Sequence, residues 1–158
     1  MEAKEFKKTM PILFLMCGLP CSGKTTLAKK LEQERSALRL TPDEWMDSIV
    51  GDGYDEEKRT VVESTMWQIA ERCLTLGTNV ILDFGFWSRS ERDEFKARAE
   101  KIPAHVELHF LDVPTEELFQ RINERNKMLP KHAFHIKEDE FKLWLSIFER
   151  PGRDEFLE

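Results

Sequence analysis

Eight consecutive residues, Gly18-Leu-Pro-Cys-Ser-Gly23-Lys24-Thr25, carry the spacing G-x-x-x-x-G-K-[ST]. The residue types explain what that spacing can do. Two glycines let successive backbone N–H groups turn into one concavity. A helix that starts there adds its positive end. Lys24 supplies a point charge for the β- and γ-phosphates, and the Thr25 hydroxyl can ligate Mg²⁺. Gly18, Ser22, Gly23, Lys24, Thr25 and Thr26 are therefore the candidate nucleotide-binding residues. Cys21 sits inside a loop built to hold phosphate oxygens, so it reads as a space-filler.

Carboxylates and arginines supply the remaining chemistry. Asp83 ends the apolar segment Asn79–Asp83, where an acid can hold Mg²⁺ together with Thr25. Asp43 follows a second apolar segment and opens a helix at Thr41-Pro42. There a carboxylate can take the proton of an attacking hydroxyl, or merely complement the helix dipole. Glu44 reads as the partner of a Thr41 capping box, and Asp47 as solvated. Arg121 and Arg125, four apart on one helical face, can neutralise a transferring phosphoryl group when a lid closes. The competing reading is a basic edge paired with Glu117 or Glu124.

Trp45, Trp87, Arg89 and Arg92 join Asp43 and Asp83 as candidates for holding the second substrate. The arginines would hold an anion, and Trp87 with Phe86 would stack on a planar group or cover the core. His132 and His135 lack companions at metal-ligand spacing, so no structural metal is expected from them. The acid-rich stretch from Asp43 to Asp55 lacks the glycine of a calcium loop.

These residues need elements to position them. Pro11–Cys17 is an almost unbroken apolar run, the pattern of a strand buried on both faces of a parallel sheet. Ala37–Leu40, Asn79–Asp83 and the alternating Val106, Leu108 and Phe110 give three more strands. Helical spacing links Leu27, Ala28 and Leu31; then Val62, Met66, Ile69, Cys73 and Leu76; then Leu118, Phe119 and Ile122; then Phe141, Trp144, Leu145 and Phe148. Ser88 and Glu91 form a capping box for a helix to about Lys101. Strand and helix alternate, which predicts an α/β fold with a parallel sheet.

The 158 residues suit one domain at 11–158, behind a polar segment 1–10 expected to fray. No apolar run reaches the length of a membrane span. Net charge is -6, with 24 Lys and Arg against 30 Asp and Glu, which disfavours bulk nucleic-acid binding. Three cysteines with no framework spacing predict reduced thiols and a cytoplasmic location. Oligomeric state is not legible.

The segments GLPCSGKTT, TPDEW, ILDFGFWSRSERD and FLDVPTEELFQRINERN resemble the small bacterial P-loop kinases of the AAA-family ATP-binding type. These are similar to the 5′-kinase domain of polynucleotide kinases, to chloramphenicol phosphotransferase and to zeta toxin. The resemblance spans about residues 12–148. It implies a P-loop NTPase-type three-layer sandwich: a parallel sheet of four or five strands in 2-3-1-4 order, helices on both faces, and a helical lid at about 121–137. It implies ATP and Mg²⁺ as cofactors and phosphoryl transfer to a hydroxyl of a small molecule. Asp43 would be the general base, Arg125 the lid arginine that stabilises the transition state, Arg121 an ATP-phosphate contact, and Asp83 the acid near metal and substrate. One position departs: where the polynucleotide kinases carry an arginine for the substrate phosphate, three residues after the base, this chain has Met46. A polynucleotide 5′-hydroxyl acceptor is thereby the second choice. A nucleotide-dependent switch or ATPase acting through a protein partner is the third.

Overall fold

The computed structural model describes residues 9–156, so most of the polar N-terminal segment lies outside it. Strand β1 (Ile12–Cys17) is the centre of the sheet. It pairs in parallel with β3 (Asn79–Gly85) on one side and β4 (His105–Phe110) on the other. Strand β2 (Ala37–Leu40) pairs in parallel with β3. The order is β2-β3-β1-β4, as the resemblance implies, with four strands.

Period-two alternation explains why β1 is apolar throughout. Leu13, Leu15 and Cys17 join Val80 and Leu82 on one face. They meet α3 (Glu56–Thr75) and α4 (Arg89–Glu100) through Val62, Met66, Ala70, Phe95 and Ala99. Phe14, Met16 and Ile81 point the other way, onto Ala28 and Leu31 of α1 (Lys24–Glu34). Side chains such as Phe14 and Leu15 are fully buried and contribute about 1.5–3 kcal/mol each. A third cluster joins Leu19 of the loop after β1 to Leu118 and Ile122 of α5 (Thr115–Met128), to Ile136, and to Phe141 of α6 (Glu138–Ile147). It fastens the lid to the loop.

The turn after β2 departs from its sequence reading. Helix α2 (Pro42–Trp45) is a single turn that passes into a π-helical turn, Met46–Val50. Thr41 occupies its N-cap but gives no side-chain cap. Its hydroxyl instead donates to Asp83 Oδ2 at 3.0 Å and accepts from Arg39 at 2.7 Å. Glu44 pairs with Arg39 rather than closing a capping box. At Ser88 the expected cap forms, its side chain accepting from the Glu91 amide at 3.2 Å.

In every βα unit the strand runs toward the same edge of the sheet. The carboxyl ends of β1, β2 and β3 therefore deliver the phosphate-spacing loop, Asp43 and Asp83 to one place.

Candidate active site

The loop after β1 is held from below and from the side. The Gly18 amide donates to the Gly85 carbonyl at 3.0 Å, and the Trp87 indole donates to the Gly18 carbonyl at 3.0 Å. Gly23 caps α1 with φ +95°, a conformation that a residue with a Cβ resists. The first-turn amides of α1 thus face the loop without a side-chain cap, the arrangement that binds anions. Ser22 is buried with an unpartnered Oγ. Lys24 Nζ donates to the Leu19 carbonyl at 3.1 Å. Burial at its ammonium end pushes its pKa below the usual lysine value, against the pull of the Asp83 and Asp43 charges. An anion in the cradle would relieve that cost.

Asp83 is 5% exposed. Its Oδ2 accepts from the Thr25 hydroxyl at 2.7 Å and from Thr41, while its Oδ1 has no partner. A buried, unsatisfied carboxylate oxygen beside a threonine hydroxyl is a hard-oxygen donor set suited to Mg²⁺. The residues present fit that ion, with Thr25 and Asp83 as its holders.

Asp43 lies across the cleft from the loop. Arg59 of α3 donates to its Oδ1 at 2.8 Å and to the Gly53 carbonyl at 3.1 Å. Arg121 donates to the Cys21 carbonyl at 3.1 Å and pairs with Glu117. Arg125 points one N–H at the Cys21 sulfur at 3.1 Å, and its buried Nε has no partner. Both lid arginines therefore converge on the phosphate loop. Lys24, Thr25, Asp43, Asp83, Trp87, Arg121 and Arg125 all line one cavity of about 1030 Å³.

Three expected substrate residues lie elsewhere. Trp45 packs against the core and does not line the cavity. Arg89 pairs with Asp154 and Asp93 at the surface. Arg92 is fully buried, with its guanidinium spent on Glu155 at 2.6 Å and on the Phe86 carbonyl at 2.8 Å. Neither arginine can reach a ligand without breaking those pairs. Conversely, the cavity includes Tyr54, Arg59, Glu63 and Glu91, which sequence reasoning missed. From sequence, Arg59 and Glu63 read as solvated and Glu91 as a capping residue, and only the packing of α3 and α4 aims them inward; Tyr54 comes from the turn before α3. Asp47, expected to be solvated, pairs with His132 of the lid at 2.8 Å.

Residues 13–151 match the AAA domain family AAA_33. The chain belongs to that family. Its fold is that of the P-loop kinases. A protein from Chloroflexus aurantiacus with a provisional kinase name superposes with TM-score 0.73 at 19% identity, covering 91% of this chain and 83% of that one. A chain of the Pnkp1/Rnl/Hen1 RNA repair complex gives 0.71 at 22%, covering 92% of this chain and 46% of that one. The APS kinase of Mycobacterium tuberculosis, bound to AMPPNP and APS, gives 0.65 at 17%, with 90% and 84% covered. Among curated proteins the sequence has no match. Among the described residues, no helix of this AAA_33 member is long and apolar enough to cross a membrane.

Proposed function

We propose that this protein is an ATP- and Mg²⁺-dependent kinase that phosphorylates a hydroxyl of a small-molecule acceptor. The observation that carries the reading is the single cavity. It joins the anion cradle of Gly18–Thr25, the unpartnered Asp83 Oδ1 and the carboxylate of Asp43, and it leaves room beyond them for a second substrate.

Loop amides and Lys24 hold the β- and γ-phosphates of ATP, and Arg121 and Arg125 close over them from the lid. Thr25 and Asp83 would hold Mg²⁺, which would offset the charge of the transferring phosphate. Arg59 fixes Asp43 through Oδ1, leaving Oδ2 to accept the proton of the attacking hydroxyl. The products are ADP and the phosphate monoester, with the proton carried on Asp43 until released to water.

The polynucleotide reading draws on the likeness to the RNA repair chain, which at 22% identity shows the fold alone. Against it, Met46 is packed into the core, so this chain has no charge at that position to meet a substrate phosphate. Labelled ATP, offered with a panel of small hydroxyl compounds and with a 5′-hydroxyl oligonucleotide, separates these acceptors. Hydrolysis without any acceptor, accelerated by a protein partner, would favour the switch reading. Asp43→Asn should retain MgATP binding by calorimetry while transfer falls about 10²–10⁴-fold. Unchanged turnover would remove Asp43 from the role.

A further inference from the structure

Helices α3 and α4 run side by side under one face of the sheet. Away from the cleft they meet through aromatic side chains. Trp67 packs edge-on against Phe95 with ring centroids 5.5 Å apart, and the Arg98 guanidinium covers both rings. One turn earlier on each helix, at the i−4 positions, the same two stripes carry Glu63 and Glu91. There the packing opens into the cavity, and both carboxylates line it. The switch from aromatic to acid coincides with the cavity wall.

Both carboxylates are half-buried, and neither takes part in a side-chain hydrogen bond or ion pair among the described residues. Burial first, then the charge of Glu91, pushes the Glu63 carboxyl up to about 7, and burial raises Glu91 as well. Among the cavity's cations, Lys29 and Lys131 are exposed at its margin, and His132 pairs with Asp47. Lys24, Arg121 and Arg125 face the phosphate loop, and Arg59 is spent on Asp43. The metal position accounts for the unpartnered Oδ1 of Asp83, which is 5% exposed and lines the same cavity. Arg59 acts on Glu63, and Arg92 on Glu91, through charge at a distance only, with no ion pair or hydrogen bond to either carboxylate among the described residues. The same cavity is lined by the aromatic rings of Phe84 and Trp87. Carboxylates set among aromatic rings are the surroundings that an organic cation satisfies, through ion pairs and through the ring faces.

We infer that the phosphoryl acceptor carries an amine, and that Glu63 and Glu91 bind it as an ammonium while its hydroxyl meets Asp43. The acceptor class is an amino alcohol or amino sugar. This rests on the kinase reading above and names its second substrate. The ammonium supplies the charge that the two acids lack, so binding and ionisation of the pair reinforce one another. A phosphate-ended acceptor would meet two unpaired acids and be repelled.

The test uses the full chain and matched probes: ethanolamine with ethylene glycol, and glucosamine with glucose. Binding is followed by calorimetry in the presence of MgADP, transfer with labelled ATP, and MgATP binding separately. The expected result is a preference of at least tenfold for the amine in one pair or both. Glu63→Gln and Glu91→Gln, which are isosteric and leave no buried charge, should each remove that preference. They should raise KM for the amine about tenfold or more with a smaller change in kcat. Equal binding of both members of each pair, binding of neither, or a preference that survives both substitutions overturns the inference. A protein that binds MgATP yet shows no amine preference loses this inference and keeps the kinase reading. One that binds no MgATP loses both.

Discussion

Glu63 is a residue whose position costs the fold something. Its carboxyl is raised from 4.5 to about 7, chiefly by burial, so the folded chain holds its proton more tightly than the unfolded chain does. The sign follows from linkage. The stabilisation is complete below about 4.5 and is lost as pH rises through about 7, where the folded state must keep a desolvated anion. Glu63→Gln abolishes that loss. Its melting temperature should match the wild type at about pH 4 and exceed it at pH 8 by roughly 2–10 °C, equivalent to about 1–3 kcal/mol. Parallel melting curves across that range would contradict the burial of this side chain. An acid that weakens the protein at neutral pH is one that function, rather than stability, keeps in place. Nothing in the string of letters marks it. The fixed spacing from Gly18 to Thr25 was legible because backbone chemistry demands those residue types in that order. Asp43 and Asp83 were legible because one follows the short strand β2 and the other lies near the carboxyl end of the apolar strand β3. Arg59 and Glu63 sit in α3 and Glu91 in α4, both rich in charge, and their inward aim depends on which stripe each helix buries.

At the scale of elements, the strands could be read from their apolar runs, and their order followed from the family resemblance. The connection after β2 was not legible, because Thr41 has two competing partners. A hydroxyl at an N-cap ordinarily accepts from the helix, but here Asp83, 42 residues away, takes its proton and Arg39 fills its lone pair. The lid shows the same dependence on distant contacts. It reaches over the cleft and touches the segment around Gly53: Tyr54 donates to the His135 carbonyl, and His132 pairs with Asp47. The Phe134 ring lies where a Cβ on Gly53 would stand, about 2.4 Å away. Gly53→Ala must therefore push the ring aside. The ring is the free end of a lid side chain, so the cost falls on closure more than on folding. The expected outcome is a several-fold rise in KM for ATP and acceptor, with a melting temperature within about 2 °C of wild type. Steady-state kinetics beside a thermal melt would show it, and an unchanged KM would detach Phe134 from lid closure.

At the scale of the whole molecule, the chain's end returns to support the site from behind. Arg92 was expected to hold an anionic substrate, yet it is fully buried. Its partner, Glu155, comes from a 3₁₀ turn at Arg153–Phe156 that no periodicity announced. Glu155 accepts from Arg92 at 2.6 and 3.3 Å and from the Gly152 amide at 2.7 Å, and Arg92 also donates to the Phe86 carbonyl. Phe86 lines the cavity, so this ion pair braces the segment that carries Trp87 and, through it, the phosphate loop. Such a pair gains little over an apolar replacement, but breaking it strands a charge. Glu155→Ala should destabilise by about 3–5 kcal/mol, since Arg92 has no route to water. For a chain of this size that corresponds to roughly 10 °C or more in melting temperature. The double variant Arg92→Met with Glu155→Leu should recover most of the loss. Its MgATP affinity should then report on the bracing alone, because no buried charge remains. A single variant as stable as the wild type would mean that the 3₁₀ turn does not close over Arg92 in solution, and the support of Trp87 would have to come from α6 instead, through its ring contact with Trp144 at 5.6 Å.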